Sequence, residues 1–239
     1  MIGNIVRRDV VDSTNEVAKE LVAEAVAPWT VVVAEKQVEG RGRSGRAWVS
    51  PRGGLYLSVI VQEDLQRLPM ISLTAGVAVV DTLRDQALKA TIKWPNDVLI
   101  GGAKVAGVLV EGIVGPQTYW AIVGIGVNSD FALEALPRQI RENATTLRHE
   151  LGGRVDNELL LQSILDSFQS SYPAPGEERS VVARYNEVCS TLGKEVRVET
   201  NRGIVNGKAV EVGASGFLML ETKNGQRMEL AEGSILSEG

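Results

Sequence analysis

The sequence predicts an α+β fold, with helices flanking a central β-sheet and a small all-β barrel appended at the C-terminus. Three observations carry that expectation. Between Ile5 and Cys189, short β-branched runs are interspersed with amphipathic segments of helix length. After Ser190 the composition changes, and the last 50 residues hold 8 of the 25 glycines. In that same stretch apolar residues alternate as Val196/Val198, Val210/Val212 and Leu218/Leu220. The 239 residues therefore divide into a large unit, 1–189, and a small one, 190–239.

Each element has a local reason. Ile5 to Val10 reads as a short strand. Ser13-x-x-Glu16 is a capping box, in which hydroxyl and carboxylate satisfy free N–H groups at a helix start, and that helix runs through Ala25 to stop before Pro28. Thr30 to Lys36 is a β-branched buried strand. Gln37 to Gly54, with five glycines, four arginines and a proline, is loop. Tyr56 to Val61 resumes as strand. Ser72 to Leu88 is a buried helix whose Ala75, Gly76 and Ala78 allow close packing on a sheet.

Three strands follow: Thr91–Trp94, Lys104–Ile113 and Tyr119–Asn128. Asn96-Asp97 and Gly101-Gly102 supply turns, the latter a hairpin. Asn157 to Tyr172 places Leu160, Ile164 and Phe168 on one helical stripe. Pro173, Pro175 and Gly176 break the chain before a last helix, Arg179 to Cys189. In the C-terminal segment Asn224-Gly225 marks a tight hairpin.

Composition narrows the chemistry. One cysteine excludes an internal disulfide and every multi-cysteine zinc site, and one histidine excludes a metal centre built on two. A histidine-dependent nucleophile would have to use His149, which sits in a charged, surface-like stretch. No secretory h-region or apolar run of membrane-spanning length occurs, so the cytoplasm is the expected compartment, with no membrane partner. The net charge of −5 argues against bulk nucleic-acid binding, yet Arg41 to Arg52 carries four arginines and no acid.

Gly40-Arg41-Gly42-Arg43-Ser44-Gly45 matches the dinucleotide fingerprint formally. The chain continues as Arg46-Ala47-Trp48-Val49-Ser50-Pro51, which opens no helix, so a pyrophosphate site of that type is not expected. The plain reading is a flexible basic surface loop. The functional one is a loop whose glycines let backbone approach a ligand while Arg41, Arg43 and Arg46 grip carboxylate or phosphate. Singly, Lys93-Trp94-Pro95-Asn96-Asp97 is a tight turn, Lys104 to Glu111 an ordinary strand, and Ile122 to Asn128 a glycine-weakened strand.

Taken in order, Asp12-Ser13-Thr14-Asn15, the Gln37 to Trp48 loop, Gly54 to Ser58, Lys93 to Asp97, Lys104 to Glu111 and Gly124 to Asn128 resemble the biotin protein ligase family. The resemblance is dense from Asp12 to about Leu147 and looser in the C-terminal segment. It implies a class II synthetase-like catalytic domain with a central mixed sheet, followed by an SH3-like barrel. It also implies a two-step reaction: biotin and ATP give biotinoyl-5′-AMP, and the biotinoyl group then passes to one lysine of a biotin carboxyl carrier protein.

By this resemblance Ser13, Thr14, Asn15, Gln37, Gly40, Arg41, Gly42, Arg43, Lys104 and Gly107 line the biotin site. Arg41, Arg43, Arg46, Trp48, Asn96, Lys104 and Asn128 serve ATP, with Lys104 and Arg43 carrying catalysis. Asp97 and Asn128 lie near Mg²⁺. Ser44 stands where some members have a further arginine, and Asn143 to Leu147 where repressor-type members place an adenine-packing tryptophan, so base packing falls to Trp48. The chain begins almost at the ligase core, which leaves no room for a DNA-binding domain; the resemblance therefore implies a ligase without repressor function or DNA partner, and allows a homodimer. Two alternatives stay open: a lipoate or octanoate ligase, and a non-enzymatic binder of small acids or nucleic acid through the arginine loop.

The scarcity of apolar anchors in Gln37–Trp48 predicts a segment that is mobile until an anion neutralises it. Limited proteolysis should therefore cut this loop faster in the free protein than with biotin and ATP. Equal cleavage would count against that reading.

Overall fold

The computed structural model describes residues 2–114 and 118–239. Its first seven strands form one sheet: β1 (Ile5–Val11), β2 (Thr30–Gln37), β3 (Leu55–Gln62), β4 (Ala90–Lys93), β5 (Asp97–Ile100), β6 (Ala103–Val114) and β7 (Tyr119–Val127). The spatial order is β1-β2-β3-β7-β6-β5-β4. Only β1 and β2 run parallel, the remaining pairs being antiparallel, so the sheet is mixed as expected.

The helices are α1 (Thr14–Ala23), α2 (Leu68–Asp85), the single turns α3 (Arg138–Arg141) and α4 (Leu147–Glu150), α5 (Asn157–Ser171) and α6 (Arg179–Val188). Alternation along the strands divides the sheet into two faces. Val31, Val33, Leu57, Val59, Val123 and Ile125 join the main core with α2, α5 and α6. Val32, Ile60 and Ile122 point the other way and pack with Ala18 of α1. Helix α2 is buried nearly all round because it lies between the sheet and α5 and α6. Its Thr74 and Thr82 hydroxyls donate to the carbonyls four residues back, at 2.9 and 2.8 Å, which makes them tolerable in an apolar layer.

Helix α2 begins at Leu68, before the expected Ser72, because Pro69 suits a first helical turn. A short strand that the sequence reading passed over, β5, lies between the Asn96-Asp97 turn and the Gly101-Gly102 hairpin. Gly101 and Gly102, at φ +58° and +87°, make that hairpin possible.

The C-terminal strands β8 (Glu195–Thr200), β9 (Gly203–Val212), β10 (Leu218–Glu221), β11 (Arg227–Leu230) and β12 (Ser234–Glu238) form an antiparallel sheet ordered β11-β10-β9-β8-β12. This corrects the expected barrel: the sheet is SH3-like in its strands, but β11 and β12 are open edges. The predicted Val210/Val212 alternation is also corrected. A bulge opposite Met219/Leu220 shifts the register, so Ala209 and Val212 are buried while Val210 is not. Val196, Val198, Leu218 and Leu220 face inward as expected, and they join the same core cluster as the large sheet.

Asn186 of α6 ties the two sheets together. Its amide donates to the Val212 carbonyl (3.0 Å) and accepts from the Val212 N–H (2.8 Å). Asn186→Ala strands both backbone groups and should lower stability by about 1–3 kcal/mol. Urea denaturation would report this as a lower midpoint at unchanged slope.

Candidate functional site

A cavity of about 230 Å³ opens on the α1 face of the large sheet. Its floor is bare. Gly107 of β6 pairs directly with Gly126 of β7, and Gly124 lies two residues along the same face. The three glycines leave Leu109, opposite Gly124, as the side chain of this patch of the face, so other groups can lie against the backbone beside it. Trp48 covers one end: a Cβ on Gly126 would lie 2.5 Å from its Nε1, and one on Gly107 3.2 Å from its ring. Asn15 covers the other end, its Oδ1 resting against Gly124.

The α1 end is neutral and polar. Ser13, Thr14, Asn15 and Gln37 line it. Gln37 Oε1 accepts from the Thr14 N–H (2.8 Å) and hydroxyl (3.1 Å), and Gln37 Nε2 donates to Ser50 Oγ (2.8 Å). Ser58, fully buried in the middle of β3, donates to Asn15 Oδ1 at 2.6 Å. Ser13 stands at the N-cap position of α1, but its side chain caps nothing, and the Glu16 carboxylate instead binds Lys19 and Arg41. The expected capping box is therefore not formed; Ser13 belongs to the cavity wall.

The opposite end is cationic. Arg43, Arg46, Lys93 and Lys104 line it, against Asp97 as the cavity's one carboxylate among the described residues, while Arg41, also in the lining, turns its guanidinium back to Glu16 on the α1 side. The arginine loop is folded over the opening, with Gly42 N–H donating to Arg46 O (2.7 Å) and Trp48 N–H to Gly40 O (2.8 Å). Arg52, the fourth arginine, lies elsewhere and pairs with Asp9. Lys104 Nζ sits 2.6 Å from Asp97 Oδ1 and 5.1 Å from the Trp48 ring centroid. Burial pulls the Arg43 guanidinium below the usual arginine range, opposed by the charges of Glu232 and Asp97.

Lys104 is held through its backbone. Its N–H donates to Asn143 O (2.8 Å) and its carbonyl accepts from Thr145 N–H (2.9 Å). The Asn128 amide donates to that same carbonyl (3.4 Å) and to Thr145 O (3.1 Å). Asn128, expected beside nucleotide and metal, is thus buried behind Lys104, outside the cavity lining. Asn96 lines the cavity while its amide donates to Val108 O at 2.5 Å. Gly40 is not in the lining either; a Cβ there would strike Trp48 O and Ser50 Oγ, so it serves the loop's own packing. Asp97, Gly107 and every other expected residue lie in the wall.

The sequence reading missed several contributors. Gly233, Ser234 and Ile235 of the C-terminal segment form part of the wall. Arg43 donates to Gly233 O (3.3 Å) and Arg46 to Ser234 Oγ (2.5 Å). No local signal marks contacts across some 190 residues of chain. Ser58 did leave a trace, as a hydroxyl inside the otherwise apolar run Leu55–Val61. His149 is exposed and outside the cavity. Cys189 is buried with its thiol pKa pushed up by that burial.

A model of the Biotin/lipoate A/B protein ligase family matches residues 8–128, and one of the Biotin protein ligase C terminal domain matches 191–236. The Biotin--[acetyl-CoA-carboxylase] ligase of Paracoccus denitrificans is 32% identical over 232 residues, covering 91% of this chain and 94% of that protein. The Bifunctional ligase/repressor BirA of Bacillus subtilis is 34% identical over 229 residues, covering 93% of this chain and 70% of that one. Among solved structures, the biotin protein ligase from Aquifex aeolicus in complex with biotin and ATP superposes with a TM-score of 0.83 at 32% identity, over 97% of each chain.

The bare floor is testable without any ligand. Gly126→Ala puts a methyl under the Trp48 indole and should drive it off the sheet. Tryptophan emission should shift to the red and become easier to quench with acrylamide. The melting temperature should change little, since Trp48 rides on a loop rather than in the core.

Proposed function

This chain belongs to the biotin protein ligase family and is an ATP-dependent ligase, and from that premise we propose how its cavity divides the work. The observation that carries the reading is the polarity of the site: a neutral hydrogen-bonding end, a glycine floor and a cationic end. Biotin has the matching sequence of groups: a neutral ureido ring, an aliphatic chain and a carboxylate. The ring takes the end formed by Ser13, Thr14, Asn15 and Gln37, and the chain lies along Gly107, Gly124 and Gly126. The carboxylate arrives among Arg41, Arg43 and Lys104, where the ATP α-phosphate must also come. A dithiolane offers nothing to the polar end, which argues against lipoate, since buried hydrogen-bonding groups left unpaired reject an analogue strongly.

Catalysis then rests on placement and charge. The biotin carboxylate oxygen attacks the α-phosphorus, the bond to the β-phosphate oxygen breaks, and pyrophosphate leaves. Arg43 and Lys104 neutralise the negative charge that builds on the phosphoryl oxygens. For this Lys104 exchanges its Asp97 partner for substrate oxygen. The carrier lysine amine next attacks the acyl carbon, and AMP departs. Trp48, at cation–π distance from Lys104 and on the arginine loop, offers the base a stacking surface. Arg46 and Asn96 serve the nucleotide side, and Asn128 acts by holding Lys104.

Mg²⁺ would supply charge neutralisation on the leaving phosphates. The residues fit a metal that enters with ATP: Asp97 is the one carboxylate of the wall, and a triphosphate-bound Mg²⁺ needs only one or two protein carboxylates. The partner is proposed to be a carrier domain of a biotin-dependent carboxylase.

Mass spectrometry of the protein incubated with biotin, ATP and Mg²⁺ should find bound biotinoyl-AMP, with pyrophosphate release that requires all three. Release with lipoate but not biotin would overturn the assignment, and binding without release would make the protein a binder only. Lys104→Ala and Arg43→Ala should each slow adenylate formation by about 10²-fold or more, in the range found for loss of one transition-state donor. Their circular dichroism and melting should stay near those of the wild type. Wild-type turnover in either variant would reject that residue's role.

A further inference from the structure

Behind the neutral end of the cavity lies Glu111 of β6, a carboxylate that the reaction as described does not use. It faces the same side of the sheet as Gly107, four residues further along β6, and does not line the cavity. Its Oε2 accepts from Asn15 Nδ2 at 2.6 Å, and its Oε1 from Lys19 Nζ at 2.8 Å. Arg41 of the loop stands 3.9 Å from Oε2 and is paired with Glu16. Burial alone would raise the Glu111 pKa, but the hydrogen bonds from Lys19 and Asn15, with the charges of Lys19 and Arg41, hold it below the usual carboxylate range.

An ionised carboxylate can only accept. Asn15 must therefore turn its nitrogen toward Glu111, which leaves its oxygen to accept from Ser58 at 2.6 Å. Ser58 Oγ also lies 2.8 Å from Thr14 Oγ1. At the far side the Thr14 N–H, which can only donate, fixes Gln37 in the same way, oxygen toward Thr14 and nitrogen toward Ser50. Both amides consequently keep one N–H beyond those used within the protein. A flipped Asn15 would instead turn its one oxygen toward the Glu111 carboxylate and lose the spare N–H with which it could meet a substrate carbonyl.

We propose that Glu111 is a positioning residue for substrate recognition: it locks the Asn15 side-chain amide in its donor orientation and so selects a ligand head whose carbonyl can accept. This rests on Asn15 lying at the biotin ureido ring, as proposed above. Glu111 touches no reacting atom, so its effect falls on the binding of biotin rather than on the chemical step.

The experiment is a double-mutant cycle on the full chain, with Glu111→Gln, Asn15→Ala and both together. Biotin affinity is measured by calorimetry, and pyrophosphate release is measured at saturating biotin and ATP. Glutamine keeps the shape of Glu111 but can donate, so it no longer dictates the amide orientation. Glu111→Gln is expected to weaken biotin by about tenfold or more, the scale of a lost charge-assisted hydrogen bond, with kcat and the KM for ATP unchanged. That loss should vanish in the Asn15→Ala background. A loss of the same size in both backgrounds overturns the proposal, as does an unchanged affinity in Glu111→Gln while Asn15→Ala is impaired. Unchanged affinity in Asn15→Ala instead overturns the placement of biotin beneath it. If Glu111→Gln does not fold, Glu111→Ala removes the acceptor-only partner of the Asn15 amide as well and should weaken biotin with kcat intact; an unaltered affinity there overturns the proposal equally.

Discussion

A sheet face that must carry a ligand cannot also carry its own side chains, and most of this structure follows from that constraint. Gly107, Gly124 and Gly126 clear a patch on β6 and β7. The opposite face of the same strands, with Val108, Val123 and Ile125, must therefore supply the packing, and it does so through α2 and the helices behind it. The cleared patch still has to be covered from above. Helix α1 covers one end with Asn15, and the arginine loop covers the other with Trp48. Helix α1 is anchored to the sheet through Ala18, whereas Trp48 rides on a loop and is only partly buried, so the loop is the cover that can yield to a ligand without loosening the sheet.

The second constraint is charge. A chain of net charge −5 gathers five cations and one carboxylate around one small cavity. Like charges at this density repel unless something holds them, and the partners are graded. Lys104 has Asp97, Arg41 has Glu16, and Arg43 and Arg46 lean on Gly233 and Ser234 of the C-terminal sheet. The last two partners are a carbonyl and a hydroxyl, which carry no formal charge, so a phosphate displaces them at little cost. The C-terminal sheet, sharing its core with the large one, is in this way also a wall of the site.

The order of strands and helices was legible because it depends on periodicity and punctuation that each segment carries alone. Four residues between two turns left too little pattern to announce β5, and a bulge moved Val210 out of the alternation that its neighbours keep. The Ser13-x-x-Glu16 spacing suggested a cap, but other partners won: Lys19, one turn along the helix, and Arg41 from the loop took the Glu16 carboxylate. Most of the site was legible through ordered motifs. What stayed hidden were groups whose role depends on a distant neighbour, such as Ser234 at the end of the chain and Glu111 beneath Asn15.

The one histidine and one cysteine acquire their meaning from position. His149 lies in an exposed turn away from the cavity, and burial disfavours the Cys189 thiolate. Neither is placed or poised to attack. In a ligase whose first nucleophile is the acid being activated and whose second is an acceptor lysine, no enzyme nucleophile is required. The protein contributes a glycine-lined floor, amides oriented by hydrogen bonds and a cluster of cations. On the division of the site proposed above, freeing the amide orientations costs specificity and removing the cations costs rate, so recognition and catalysis are separable within one cavity.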